Sequence, residues 1–182
     1  HIDGDFRYLD AGSGDDFIEL YNYGYKVDYF DGGAGTDELL IIPVHGSGEG
    51  SDLWSSVIKN VEKITLRSGY SVNLGDQAAG DGQSIEIDAS ARENSSDGTF
   101  SVSSTFEGDI TFKGTTGVDN VTLGKGDDVV TLSSGDDIVY SGLGSNTIDG
   151  GAGDDTVIYS GTKDSYAIQY QINNLSETLS VA

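Results

Sequence analysis

The chain has no cysteine and a single proline among its 182 residues. Without cysteine, no disulfide can hold the fold together, so its stability must come from another source. Basic residues are also scarce: 9 Lys and Arg stand against 31 Asp and Glu, which gives a formal net charge of −22. Because binding to a phosphate backbone requires Lys and Arg, we expect no nucleic-acid partner.

Long apolar segments are missing as well, so we expect no membrane span. The N-terminal residues His1-Ile2-Asp3 carry no signal-like segment, and we expect a fragment of a larger protein. The uncompensated negative charge opposes a compact state unless cations neutralise it. With 36% hydrophobic residues, ten Tyr and six Phe, the chain can still bury a core. We therefore expect folding to depend on cations, with disorder in their absence.

What the sequence does contain is a nine-residue repeat from residue 114 onward. Each copy has an Asp or Asn, a glycine two positions before it and a β-branched aliphatic two positions after it. Such a period indicates a solenoid, and this nonapeptide pattern is typical of a parallel β-helix that binds calcium. The polar positions are Asp119, Asp128, Asp137, Asn146 and Asp155; the glycines are Gly117, Gly126, Gly135, Gly144 and Gly153; the aliphatics are Val121, Val130, Val139, Ile148 and Val157. The best copy, residues 150–158, adds Gly151.

Two further copies lie near the N-terminus, at residues 11–19 and 32–40. They supply the glycines Gly12, Gly14, Gly33 and Gly35 and the acids Asp16 and Asp37. Between them stands a tyrosine-rich turn with Tyr21, Tyr23, Tyr25 and Tyr29. This turn could present a platform for a sugar or a partner surface, but aromatic packing over an irregular coil is the favoured interpretation.

The middle of the chain breaks the repeat. Pro43 is expected to end a strand, and the segment Asp52–Lys59 predicts a short helix that docks over an open edge through Leu53, Trp54, Val57 and Ile58. Alternating apolar and polar residues then predict five half-buried strands. These are Lys63–Leu66, Ser71–Leu74, Ile85–Asp88, Phe100–Ser103 and Ile110–Phe112. Near the C-terminus, Tyr166–Ile172 and Thr178–Val181 predict a hairpin that blunts the last edge of the solenoid.

The chain thus divides into four parts: irregular N-terminal turns (1–41), a solenoid spacer with the short helix (42–113), the regular array (114–160) and a C-terminal cap (161–182). The expected fold is all-β. It is a right-handed parallel β-roll, or β-solenoid, with calcium-binding turns, a short docked helix and a C-terminal capping hairpin.

The repeat also predicts its own chemistry. The glycines permit φ above zero and let carbonyl groups point inward, and two turns complete a coil of about 18 residues. Turns therefore alternate between two edges, which places Asp119, Asp137 and Asp155 on one edge and Asp128 and Asn146 on the other. Stacked carbonyls and carboxylates form an all-oxygen cage suited to a hard cation. Zinc and copper are disfavoured, because the turns lack His and Cys.

This array resembles the RTX (repeats-in-toxin) nonapeptides of bacterial proteins exported by type I secretion, over residues 10–40 and 114–160. The resemblance implies a parallel β-roll with calcium between successive same-edge turns, bound by turn carbonyls and by Asp16, Asp37, Asp119, Asp128, Asp137 and Asp155. Asn146 lacks the charge, so its site is expected to be the weakest. The segments Asn60–Leu66 and Ile87–Ser90 also resemble parts of RTX adhesins and RTX-type surface-layer proteins.

Two function classes remain open. The first is a calcium-dependent structural or assembly module of a secreted bacterial surface protein, either an adhesin or a surface layer, that folds outside the cell. The second is a secretion and folding module attached to an enzyme whose catalytic domain lies outside this chain. The irregular spacer favours the first. We expect no catalytic activity from the segment itself, because the repeat already explains its paired carboxylates.

Overall fold

The computed structural model describes residues 8–22, 29–43, 57–67, 71–74, 83–90, 98–102, 106–160 and 177–181. All regular structure in these residues is β-strand. The strands are β1 (Leu9–Asp10), β2 (Phe17–Asn22), β3 (Tyr29–Asp31), β4 (Glu38–Pro43), β5 (Val57–Lys59), β6 (Lys63–Leu66), β7 (Ser71–Leu74), β8 (Ile85–Asp88), β9 (Gly98–Val102), β10 (Ile110–Lys113), β11 (Asp119–Thr122), β12 (Val129–Thr131), β13 (Ile138–Tyr140), β14 (Thr147–Asp149), β15 (Asp155–Tyr159) and β16 (Glu177–Val181).

Up to β15, consecutive strands belong to different sheets, and every pairing between these strands is parallel. The even-numbered strands from β2 to β14 form one seven-stranded sheet. The odd-numbered strands form a three-stranded sheet of β1, β3 and β5 and a six-stranded sheet that runs from β7 through β15 to β16. Each coil thus contributes one strand to each side, which is the architecture of a parallel β-solenoid and confirms the predicted fold class.

Strand register confirms the predicted coil length in the array. Phe112 pairs with Val130 and Val130 with Ile148, so each coil advances by 18 residues. Outside the array the coils are longer. Ile64 lies 25 residues after its partner Leu39 and 23 residues before its partner Ile87. Extra residues in these coils are absorbed by the connections, while the strands keep their stacking.

The core lies between the two sides of the solenoid. The array valines Val121, Val130 and Val139 are at most 1% exposed, and Phe100 stacks on Phe112 across the core with ring centroids 4.9 Å apart. Each buried aliphatic side chain contributes roughly 1.5–3 kcal/mol of transfer free energy. The β-branched position of the nonapeptide is therefore the position that holds the coils together.

One of the expected elements differs from what the structure shows. Within Asp52–Lys59 the described residues 57–59 are strand β5, so the predicted helix is wrong there; residues 52–56 lie outside the described part. The physical reason is register, because Ile58 pairs with Phe30 and is 3% exposed in the core. Periodicity alone cannot distinguish strand from helix in such a short apolar segment, and here the pairing with β3 makes it a strand.

The C-terminal hairpin is only partly described. The strand predicted at Thr178–Val181 is present as β16, and it adds in parallel to β15, with Asp155 opposite Glu177. Residues 161–176, which include the first strand of the hairpin, lie outside the described part. The described residues contain no helix that is long and apolar enough to cross a membrane.

Candidate functional site

The Gly–Asp turns stack directly on one another along each edge of the roll. In the N-terminal block Ser13 forms a parallel bridge with Ala34, and in the array Ser134 forms one with Ala152. A Cβ added to Gly33 would lie 2.0 Å from the carbonyl oxygen of Gly12. Glycine is needed there because any side chain would strike that carbonyl.

Backbone conformation separates the predicted glycines into two groups. Eight of them have a positive φ, which L side chains rarely adopt: Gly12, Gly14, Gly33, Gly35, Gly135, Gly144, Gly151 and Gly153. Gly117 and Gly126 do not adopt it. At Gly126 the requirement is space, since a Cβ would lie 2.2 Å from the carbonyl oxygen of Gly108.

The polar side chain at the end of each turn reaches back to the preceding turn on the same edge. Oδ1 of Asp137 accepts a hydrogen bond from the N–H of Asp119 at 2.7 Å, and Oδ1 of Asp155 accepts one from the N–H of Asp137 at 3.1 Å. On the other edge the same contact joins a backbone N–H to the side-chain Oδ1 of the next turn. The N–H of Asp16 donates to Asp37 (2.8 Å), that of Ile110 to Asp128 (2.8 Å) and that of Asp128 to Asn146 (2.9 Å). We call this series of contacts the backward ladder.

Four of the turn carboxylates keep a buried oxygen without a donor. Oδ2 of Asp16, Asp37, Asp128 and Asp137 is buried and has no hydrogen-bond partner. Burial raises the pKa of Asp128 to about 7 and that of Asp137 to about 6. A buried, unpaired carboxylate oxygen is costly, so a cation placed beside it would be stabilised and would restore the charged form.

Asn146 has an amide where the other ladder positions have a carboxylate, so its side chain carries a hydrogen-bond donor. Its Oδ1 takes part in the backward ladder, while its Nδ2 donates to the carbonyl oxygens of Ser141 at 2.5 Å and of Leu143 at 3.2 Å. The amide thus presents a positive N–H group to acceptors of its own turn. A carboxylate at this position presents an oxygen instead, and a set of acceptors alone requires a cation between them.

Asp119 differs from the other predicted ligands. Its Oδ2 accepts the N–H of Thr115 at 2.7 Å, and the Thr115 hydroxyl lies 3.1 Å from both carboxylate oxygens. Thr115 stands where a full repeat has its second glycine. The first turn of the array therefore stabilises its carboxylate internally. At the other end, Asp155 is partly exposed in the last array turn.

A second ladder runs in the opposite direction and was not anticipated from the sequence. In four turns an Asp one position before the ladder position accepts an N–H from the following same-edge turn. These contacts are Asp15 with Thr36 (2.9 Å), Asp109 with Asp127 (2.8 Å), Asp127 with Ser145 (2.7 Å) and Asp136 with Asp154 (3.0 Å). Three of the four belong to consecutive Asp pairs in the sequence, but only the stacking shows that the first Asp of these pairs bonds forward.

Among the described residues, no three His, Cys, Asp or Glu side chains converge as a metal-binding group. The reason is geometric, because each turn supplies one or two carboxylates and the remaining oxygens belong to the backbone. Calcium accepts such mixed sets of carboxylate and carbonyl oxygens. The residues present therefore fit a hard cation and not a metal that needs nitrogen or sulfur.

Comparison with known families agrees with this chemistry. Residues 113–148 and 133–164 match the family described as RTX calcium-binding nonapeptide repeat (4 copies). No curated protein and no solved structure matches the chain. Residues 113–164 are therefore RTX calcium-binding nonapeptide repeats, and they form a calcium-binding structural module of a secreted protein.

Proposed function

We propose that the chain is a calcium-dependent structural module of a secreted bacterial surface protein, either a surface layer or an adhesin. It folds when calcium binds outside the cell. The observation that carries this proposal is the set of buried oxygens without donors on Asp16, Asp37, Asp128 and Asp137. Four such groups in a chain of net charge −22 favour a cation-bound folded state over an ion-free one.

The ions are proposed to lie between successive same-edge turns. Each would be bound by the free carboxylate oxygen of a ladder residue and by carbonyl oxygens of the stacked turns. The proposed ligand residues are Asp16, Asp37, Asp119, Asp128, Asp137, Asp155 and Asn146, with turn carbonyls at Gly12, Gly14, Gly33, Gly35, Gly117, Gly126, Gly135, Gly144, Gly151 and Gly153. The site between Asp128 and Asn146 is proposed to be the weakest, since an amide replaces one carboxylate.

Attachment to a surface protein is favoured over attachment to an enzyme by the spacer. The seven-stranded sheet continues from β2 through β6 and β8 to β14, so both repeat blocks share one sheet. A continuous, elongated roll suits a structural or self-associating element. The alternative, a folding module beside a catalytic domain, is distinguished by the sequence that flanks this chain in its full-length protein.

A calcium titration followed by circular dichroism and light scattering tests the proposal. In chelator the chain should be largely unstructured, and β signal should appear as calcium reaches roughly 10⁻⁴ to 10⁻³ M, the range of extracellular modules. At ten times its dissociation constant each bound ion adds roughly 1.4 kcal/mol of stability. Self-assembly should appear as an increase in scattering over the same range.

Magnesium is the matched control, since it carries the same charge but prefers small octahedral sites and retains its waters. It should induce little β signal at the same concentration. A full β spectrum in chelator that calcium leaves unchanged would refute calcium-dependent folding.

A further inference from the structure

The turn Asn60–Glu62, between β5 and β6, belongs to the spacer and has no nonapeptide, yet it continues the backward ladder. The N–H of Asp37 donates to Oε2 of Glu62 at 2.7 Å, as the N–H of Asp16 donates to Oδ1 of Asp37 at 2.8 Å. The following residue also matches, because Lys63 N–H donates to the Asp37 carbonyl. Glu62 therefore occupies the register position of the next ladder carboxylate.

A cradle of oxygens lies between this turn and the turn Gly32–Asp37. The point where a Cβ would stand on Gly32 is 2.0 Å from the carbonyl oxygen of Asn60 and 2.7 Å from Oδ2 of Asp37. Asp37 is 1% exposed, and this Oδ2 has no hydrogen-bond partner. A buried carboxylate oxygen without a donor and a carbonyl thus face the same small space.

The backbone holds the Asn60 carbonyl in this position. Asn60 has φ of 50°, the only positive φ of a non-glycine residue in the described ranges. Its Nδ2 donates to Oδ1 of Asp31 at 2.7 Å, and the same oxygen accepts the N–H of Gly33 at 3.1 Å. Asp31 thereby ties the two turns together beside the cradle. Non-glycine residues held in the left-handed backbone conformation cluster at ligand-binding sites.

We propose that the turn Asn60–Glu62 closes a calcium site over the turn Gly32–Asp37. Oδ2 of Asp37 and the Asn60 carbonyl oxygen are its ligands, and the Glu62 carboxylate supplies the adjacent negative charge and holds the turn. Both oxygens face the same space between the stacked turns, and calcium takes oxygen ligands at 2.3–2.6 Å. This inference rests on the proposed function, because it assumes that calcium binds the stacked turns, and it extends that binding into the spacer.

Glu62→Gln tests the role of the charge. Asn146 shows that an amide oxygen can serve as the ladder acceptor, so the substitution keeps the hydrogen bond to Asp37 and removes only the charge. Isothermal calorimetry of the full chain should show one calcium ion bound at least about tenfold more weakly, because a nearby full charge interacts strongly with a divalent ion. The other ions should keep their affinities.

Glu86→Gln is the matched control. The Glu86 side chain pairs with Lys113 at 2.7 Å and takes no part in the backward ladder, so the same loss of charge should leave calcium binding unchanged. Equal isotherms for the wild type and Glu62→Gln would overturn the role of Glu62. If the wild-type chain binds no calcium at all, the proposed function fails together with this inference, whereas a loss confined to Glu62→Gln supports both.

A structure of the wild-type chain crystallised in calcium keeps the test independent of whether the variant folds. Density for an ion within about 2.3–2.6 Å of Oδ2 of Asp37 and of the Asn60 carbonyl oxygen supports the site. Ions in the array with only water, or nothing, in this cradle would overturn the site and leave the proposed function intact.

Discussion

The backbone N–H of Asp119 donates a 2.7 Å hydrogen bond to Oδ1 of Asp137, eighteen residues further along the chain. This contact joins two turns of the same edge and uses only one oxygen of the carboxylate. The other oxygen, Oδ2 of Asp137, is buried without a partner. One residue thus links successive coils and at the same time leaves an acceptor available for a cation.

Asp137→Ala should weaken calcium binding more than Asp128→Ala. Both residues are 1% exposed, and each Oδ1 accepts one backbone N–H, so the two substitutions remove the same hydrogen bond. They differ in their neighbours, because Asp137 lies between two charged ladder residues and Asp128 is followed by Asn146. We expect a loss of about tenfold or more for Asp137→Ala and a smaller loss for Asp128→Ala. Calorimetry that gives equal losses would contradict the assignment of edges.

Calcium affinity should fall on acidification between about pH 7 and pH 5. Burial raises the pKa of Asp128 to about 7 and of Asp137 to about 6, so in the ion-free fold these groups bind protons that calcium must displace. The stability of the ion-free fold depends on pH in the opposite direction. Since the folded pKa exceeds the unfolded one, its stability rises as pH falls through these values and is lost as pH rises.

The pH trend is measured by calorimetry in two buffers of different ionisation enthalpy, which also counts the protons released. Calcium binding near pH 6 should release protons, and binding well above pH 7 should release few. A calcium affinity that is constant from pH 5 to pH 8 would show that the ion-free chain does not hold these two carboxyl groups buried and protonated.

Gly33→Ala should destabilise the fold more than Gly12→Ala. The two glycines have nearly the same φ, 97° and 101°, so both substitutions carry a similar backbone strain of about 1–2 kcal/mol. A Cβ on Gly12 would meet nothing within 4 Å, whereas one on Gly33 would lie 2.0 Å from the carbonyl oxygen of Gly12. The clash should cost Gly33→Ala a further ~1–3 kcal/mol in the free energy of unfolding.

Urea denaturation at a fixed, saturating calcium concentration gives this difference directly. The comparison isolates turn stacking from backbone conformation. Indistinguishable unfolding free energies for the two variants would mean that the turns do not approach one another as the structure has them.

Removal of residues 161–182 should raise the calcium concentration needed for folding. Strand β16 pairs with β15 from Asp155 to Tyr159, so its loss leaves that edge of the six-stranded sheet open beside the partly buried Val157. A shorter deletion of residues 177–182 removes β16 alone and should account for part of the shift. If both truncated chains fold at the same calcium midpoint as the full chain, β16 has no capping role.

The regular array could be predicted closely because each of its properties is local. The nine-residue period fixes the 18-residue coil, and alternation of Val121 and Val130 between the two sides follows from two strands per coil. The spacer strands Lys63–Leu66, Ser71–Leu74 and Ile85–Asp88 were likewise predicted with their bounds, since apolar and polar residues alternate there. Strand β4 ends at Pro43, as expected of a residue without a backbone donor.

What depended on partners distant in sequence could not be predicted. Val57–Lys59 has an apolar pattern compatible with a helix, and only its pairing with β3 makes it a strand. The forward contacts of Asp15, Asp109, Asp127 and Asp136 require knowledge of which N–H lies in the next coil. Glu62 lacks any motif, because its 25-residue separation from Asp37 departs from the period of the array.

By itself the sequence determined the period, the positions of the apolar side chains, the oxygen-rich turns and, through its excess of carboxylates, the need for a cation. Tertiary structure alone decided which atoms of those turns meet. At Asp37, Asp128 and Asp137, stacking assigns one carboxylate oxygen to a backbone N–H of the neighbouring turn and buries the other. The reason is that burial and pairing are properties of two turns together, and their separation along the chain is set by coil length and not by any local pattern.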